Sequence, residues 1–133
     1  MNLRHLRLSD CVFYNRNPAP LFADPAAFPT LEHLTLTQHR FNHISEHAVS
    51  QLLNSLPPRL QSLNFGRAPF QAEGIREWLQ IPQSRQLSGG IRFWLSQSQL
   101  EILDAIVRNL GSWRVDCAPD PAQGFGVWLR PAD

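Results

Sequence analysis

Leu31-Glu32-His33-Leu34-Thr35-Leu36-Thr37-Gln38-His39-Arg40-Phe41 spells an apolar template, Leu-x-x-Leu-x-Leu-x-x-His-x-Phe. The template stands upstream as Leu3-x-x-Leu6-x-Leu8-x-x-Cys11-x-Phe13 and downstream as Leu60-x-x-Leu63-x-Phe65-x-x-Ala68-x-Phe70. A weaker copy centres on Ile91-x-Phe93. Marked at the fourth template position, Leu6, Leu34, Leu63 and Ile91 follow one another at steps of 28, 29 and 28 residues. A fixed period of this size means one supersecondary unit stacked on copies of itself. Leu-x-Leu is the period-two signature of a strand, so each unit opens with a strand whose leucines face a common core.

The connections differ from unit to unit. The spacing predicts a helix from about Glu46 to Leu56, capped by Ser45, with Ala48, Val49, Leu52, Leu53 and Leu56 inward. Pro57 and Pro58 stop it. Ile75, Trp78 and Leu79 mark a shorter helix ending before Pro82. Ser98 is expected to cap the strongest helix, lined by Leu100, Leu103, Ile106, Val107 and Leu110 and stopped by Gly111. The first unit holds Pro18, Pro20, Pro25 and Pro29 and is expected to be irregular. From Ser112 the chain alternates again, Trp113-Val115-Cys117 and then Phe125-Val127-Leu129, with a turn between Pro119 and Gly124. That pattern predicts a fifth parallel strand followed by an antiparallel closing strand that shields the end of the sheet. The trailing Phe13, Phe41 and Phe70 are expected to tuck back into the core.

Composition narrows the field. The chain has 133 residues, a formal charge of +1 and 17% charged residues. A balance so near neutral gives no reason to expect nucleic acid or another polyanion as partner. All twelve basic residues are arginine, a residue favoured at interfaces for its planar fork, although genomic base composition accounts for this and for the eleven prolines more simply. Cys11 and Cys117 fall in the first unit and the tail, several strands apart, and read as reduced thiols, which fits a cytoplasmic or nuclear location. No apolar run reaches the ~20 residues of a membrane span and no leader pattern opens the chain, so no membrane association is expected.

This template resembles that of the leucine-rich-repeat proteins, over about Asn2 to Leu110. The step of 28 to 29 residues is similar to the ribonuclease-inhibitor type. The wording of Phe28-Pro29-Thr30-Leu31-Glu32-His33-Leu34 and Leu56-Pro57-Pro58-Arg59-Leu60 resembles fungal F-box/leucine-rich-repeat proteins, whose repeats hold substrate for a ubiquitin ligase. The resemblance implies an α/β fold. It would be a short right-handed leucine-rich-repeat solenoid, with about four to five parallel strands on its concave face and helices or irregular segments on its convex face. One domain spans 1–133, with repeats near 3–30, 31–59, 60–87 and 88–111 and a C-terminal cap over 112–133. The family's asparagine position holds Cys11, His39 and Ala68, so a uniform side-chain ladder along that turn is not expected. No F-box-like helical segment precedes the first repeat, which leaves the ligase-docking half out of the expectation.

If the leucines point inward, the residues between them face the concave side. These are His5, Arg7 and Ser9, then His33, Thr35 and Thr37, then Ser62, Asn64 and Gly66, then Gly90, Arg92 and Trp94, with Arg114 and Asp116 from the fifth strand. Arg7, Thr35, Asn64, Arg92 and Arg114 should form one row across the sheet, and three arginines beside Trp94 are the residue types of binding hot spots. A solvated sheet face must be polar in any case, so polarity alone does not prove a partner. His5 and His33 should stack as lateral neighbours, an ordinary surface pair sooner than a metal site. His43 and His47 lack a third ligand and the His-Glu-x-x-His arrangement. Trp78 and Trp113 should be core, while Trp94 and Trp128 sit in the outward phase of their strands.

No phosphate-cradling loop, matched Cys–His pair or acid/base pair is identifiable, so no enzymatic activity and no cofactor are expected. The leading expectation is a recognition module that binds a partner protein through its concave sheet, as in the substrate-recognition part of an F-box-type adaptor. Arginine would pair with the partner's carboxylates and Trp94 would supply apolar contact. The alternatives are a C-terminal piece of a longer array, self-associating through its exposed first strand, and a metal-dependent enzyme using the surface histidines.

Overall fold

In the computed structural model, residues 3–9, 19–22, 24, 28–37, 45–120 and 124–132 are described. Six strands form one sheet: β1 (His5–Ser9), β2 (His33–Thr37), β3 (Ser62–Pro69), β4 (Gly90–Leu95), β5 (Trp113–Asp120) and β6 (Gly124–Pro131). Their lateral order is β1-β2-β3-β4-β6-β5. The first four run parallel in chain order, and β6 is antiparallel to both β4 and β5. The fold is mixed α/β with an open sheet.

The repeat markers are register partners. Leu6 lies opposite Leu34, Leu34 opposite Leu63, and Leu63 opposite Ile91. The backbone just before each strand repeats as well. Glu32 N–H donates to Arg4 O at 2.9 Å, Gln61 N–H to Glu32 O at 2.7 Å, and Gly89 N–H to Gln61 O at 2.7 Å. Residues one repeat apart therefore satisfy one another's main-chain groups where a connection becomes a strand.

Among the described residues three helices connect or follow the strands: α1 (Glu46–Leu53), α2 (Ala72–Gln80) and α3 (Gln97–Leu110). Their apolar stripes join Leu34, Leu36, Leu63, Phe65, Ile91, Phe93, Val127 and Leu129 in one core. Ser45 caps α1 as expected, its Oγ accepting from Ala48 N–H at 3.1 Å. The helix ends at Leu53 rather than Leu56, because Asn54 and Ser55 turn out of it ahead of the proline pair. The start of α3 also differs from expectation. Its N-cap is Ser96, not Ser98, which lies within the first turn. Gly111 ends it in the left-handed conformation, its N–H donating to Val107 O.

The middle of the core is aromatic. Trp78 is fully buried, edge-on to Phe70 (ring centroids 5.0 Å) and Phe93 (5.8 Å), and its indole N–H donates to Glu46 O at 2.9 Å. Neighbouring helices also cap one another. Gln71, the N-cap of α2, makes no side-chain cap bond of its own. Glu46 Oε1 of α1 accepts from Gln71 N–H, and Gln99 Oε1 of α3 accepts from Ala72 N–H. These bonds satisfy donors that a helix start leaves open.

Phe70 is buried as expected, while Phe13, Phe41, Cys11 and His39 lie outside the described residues. In the first repeat the connection includes a 3-10 turn, Ala19–Phe22, whose Phe22 is 1% exposed and packs on Phe28 at 5.2 Å. The tail departs from its prediction. β5 runs in the direction of β1–β4, but β6 is inserted between it and β4, so the fifth strand has no parallel neighbour. Val127 and Leu129 of β6 are buried, whereas Val115 of β5 is half-buried and Cys117 exposed. The more apolar strand occupies the interior, and the poorer one forms the edge, where exposed Pro119 blunts further pairing.

Candidate functional site on the open sheet face

All three helices pack on one side of the sheet, so the alternate residues of the strands line the other. One lateral row runs the full width: Arg7, Thr35, Asn64, Arg92, Trp128, Asp116. The first four are those the repeat predicted. The fifth is Trp128, not Arg114, because β6 intervenes. Arg114 instead sits opposite Arg130, level with the row that starts His5, His33, Ser62 and Gly90. Ser9 and Thr37 are register partners on the far side of Arg7 and Thr35.

His5 and His33 do stack, with ring centroids 4.7 Å apart and planes 24° from parallel. The row continues through a 2.6 Å hydrogen bond between His33 Nδ1 and Ser62 Oγ. Among the described residues no group of three His, Cys, Asp or Glu side chains could hold a metal ion. His43 lies outside the described residues. His47 is exposed on α1, with its Nε2 3.3 Å from Gln51 Nε2.

The two outward tryptophans lie down on the sheet, each over a glycine. Gly90 opens β4 with φ +84°, and a Cβ there would stand 2.6 Å from Trp128 Nε1. A Cβ on Gly124 would collide with the Trp94 indole. Both rings are therefore half-buried, and Trp94 is not the free-standing anchor anticipated for it. Its Nε1 is buried without a hydrogen-bond partner among the described residues. Trp128 is tied down, its Nε1–H donating to Gly89 O at 2.7 Å.

Two guanidiniums lie over the Trp128 ring, Arg92 with its Cζ 4.3 Å from the centroid and Arg130 at 4.1 Å. Arg130 also pairs with Asp116 across the β5–β6 hairpin. Arg92 is exposed and has no ion pair or hydrogen bond among the described residues. The stacked pair forms a ridge between two open depressions. One, of about 360 Å³, is lined by Gly66, Asp116, Ala118 and Gly126; the other, of about 370 Å³, by His33, Thr35, Ser62 and Gly89. Asn64, Arg92 and Trp128 line both. Asn64 Oδ1 accepts from Gly66 N–H at 3.0 Å, which fixes its side chain beside the ridge.

Sequence reasoning found Arg92 and missed Trp128 as its partner. Alternation assigns a residue to a face, but it does not say which strand lies beside which. The available signal was the richer apolar side of β6, which suits an interior strand.

No family model matches this chain, and no curated protein and no solved structure matches it. No helix among the described residues is long and apolar enough to cross a membrane.

Proposed function

We propose that this protein is a non-catalytic recognition module of the leucine-rich-repeat kind, binding a partner protein through its open sheet face. In this reading the repeats are coils of a short solenoid and the tail hairpin closes its last coil. The observation that carries it is the Arg92–Trp128 pair. A large aromatic ring held flat beneath an uncommitted guanidinium, between two depressions, combines the residue types that dominate interface energetics. Support for the repeat reading is the identity between the 28- and 29-residue sequence steps and the strand register. A fungal F-box-type adaptor role would be one setting for such a module.

The test is affinity capture with the purified protein as bait and identification of the retained partner. The Arg92→Ala/Trp128→Ala double variant should lose that partner, whereas Glu101→Ala, at an exposed position of α3, should keep it. Equal capture by the double variant would refute the assignment of this face.

A further inference from the structure

Resting on that reading, we infer that the partner docks as an extended acidic peptide. One of its Asp or Glu carboxylates takes the N–H edge of Arg92, and an apolar side chain two residues away enters the depression beside Gly126 and Ala118. Stacking on Trp128 occupies the face of the Arg92 guanidinium and leaves its in-plane donors for a ligand, the geometry in which Arg grips a carboxylate with two parallel bonds. The pair is pre-organised because Trp128 is anchored to Gly89 O and seated over Gly90, so little rotamer freedom remains to be lost on binding.

Charge on the face points the same way. Beside the ridge, Asp116 is committed to Arg130, which leaves the exposed Arg92 and Arg114 as cations with no ion pair among the described residues. The excess is local, since the whole chain carries only +1. Local excess favours one or a few carboxylates over a polyanion that needs a broad field. The spacing follows from the two depressions on either side of the ridge. Alternate residues of an extended peptide lie ~6.6 Å apart on the same side, so an acid over Arg92 places its second neighbour beyond the ridge. The depression toward Gly126 is bordered by Gly66, Ala118 and Val127, and by Asp116, whose carboxylate is paired with Arg130, so it suits an apolar group. The other is bordered by His33, Thr35 and Ser62 and suits a polar one.

The experiment is selection of a random heptapeptide display library on the intact protein, followed by binding of the enriched peptides to wild type, Arg92→Gln and Arg92→Lys. Asp or Glu should be enriched with an apolar residue two positions away. Arg92→Gln should weaken those peptides about ten-fold or more, as expected for loss of a close charge pair. Arg92→Lys, which keeps the charge but not the fork, should fall between. An unchanged thermal midpoint confirms that both variants fold.

Enriched peptides without acids, or acidic peptides bound equally by Arg92→Gln, would overturn the inference while leaving partner capture by this face standing. A twelve-residue oligothymidylate bound in an Arg92-dependent way with no acidic peptide enriched would overturn it in favour of nucleic acid. A concentration-dependent dimer broken by Arg92→Gln would overturn it in favour of a second copy of the chain. No enrichment, together with capture that survives the double variant, would remove both this inference and the reading beneath it.

Discussion

Leu6 and Leu63 hold the same template position two strands apart, yet Leu63 is fully buried and Leu6 only partly so. Leu8 and Phe65 repeat the contrast, half-buried against 1% exposed. β3 has a strand on each side and is followed by α2, whose Trp78 packs on Phe65. Among the described residues β1 has one lateral neighbour, and the described part of its connection offers a 3-10 turn with Phe22. The template therefore decides which way a side chain points, while depth of burial is set by what neighbouring units place above and beside it.

Mutations that remove volume should expose that difference most strongly. Leu63→Ala is expected to cost about 2–5 kcal/mol in urea unfolding, the range for a large-to-small change in a closed core. Leu6→Ala should cost less than half as much; equal losses would mean that β1 is as tightly enclosed as β3. The open face at β4 gives the next largest effect. Gly90→Ala would force a Cβ into the left-handed region and against both the Leu129 carbonyl and Trp128 Nε1, and the backbone strain alone costs about 1–3 kcal/mol. Its tryptophan fluorescence should shift as the Trp128 indole is displaced. The smallest effect should come from Ser45→Ala, which removes one cap from the helix nearest the β1 end, at about 1 kcal/mol of thermal stability. A loss as large as that of Leu63→Ala would show that α1 carries far more of the fold than its cap bond implies.

The same contrast explains what was legible in the sequence. Leu34, Leu63 and Ile91 could be paired across the sheet from their spacing alone, because every repeat repeats its register. Arg7, Thr35, Asn64 and Arg92 followed as one row for the same reason. The tail lies outside the period, so spacing names no neighbour for β5 or β6, and the place expected for Arg114 belongs to Trp128. Ser96 and Ser98 are both competent caps two residues apart and the apolar stripe fits either start, so the pattern alone does not place the first turn of α3. Phe22 was hidden in a proline-rich segment without periodicity, where nothing local marks one phenylalanine as buried.

The capping of α2 by Glu46 and Gln99 ties its first turn to both neighbouring helices. The Gln71 amide is held by a side chain of α1 and the Ala72 amide by a side chain of α3, so their hydrogen exchange reports whether those two side chains stay seated. The three helices are thereby joined along the rim of their layer as well as through the aromatic interior.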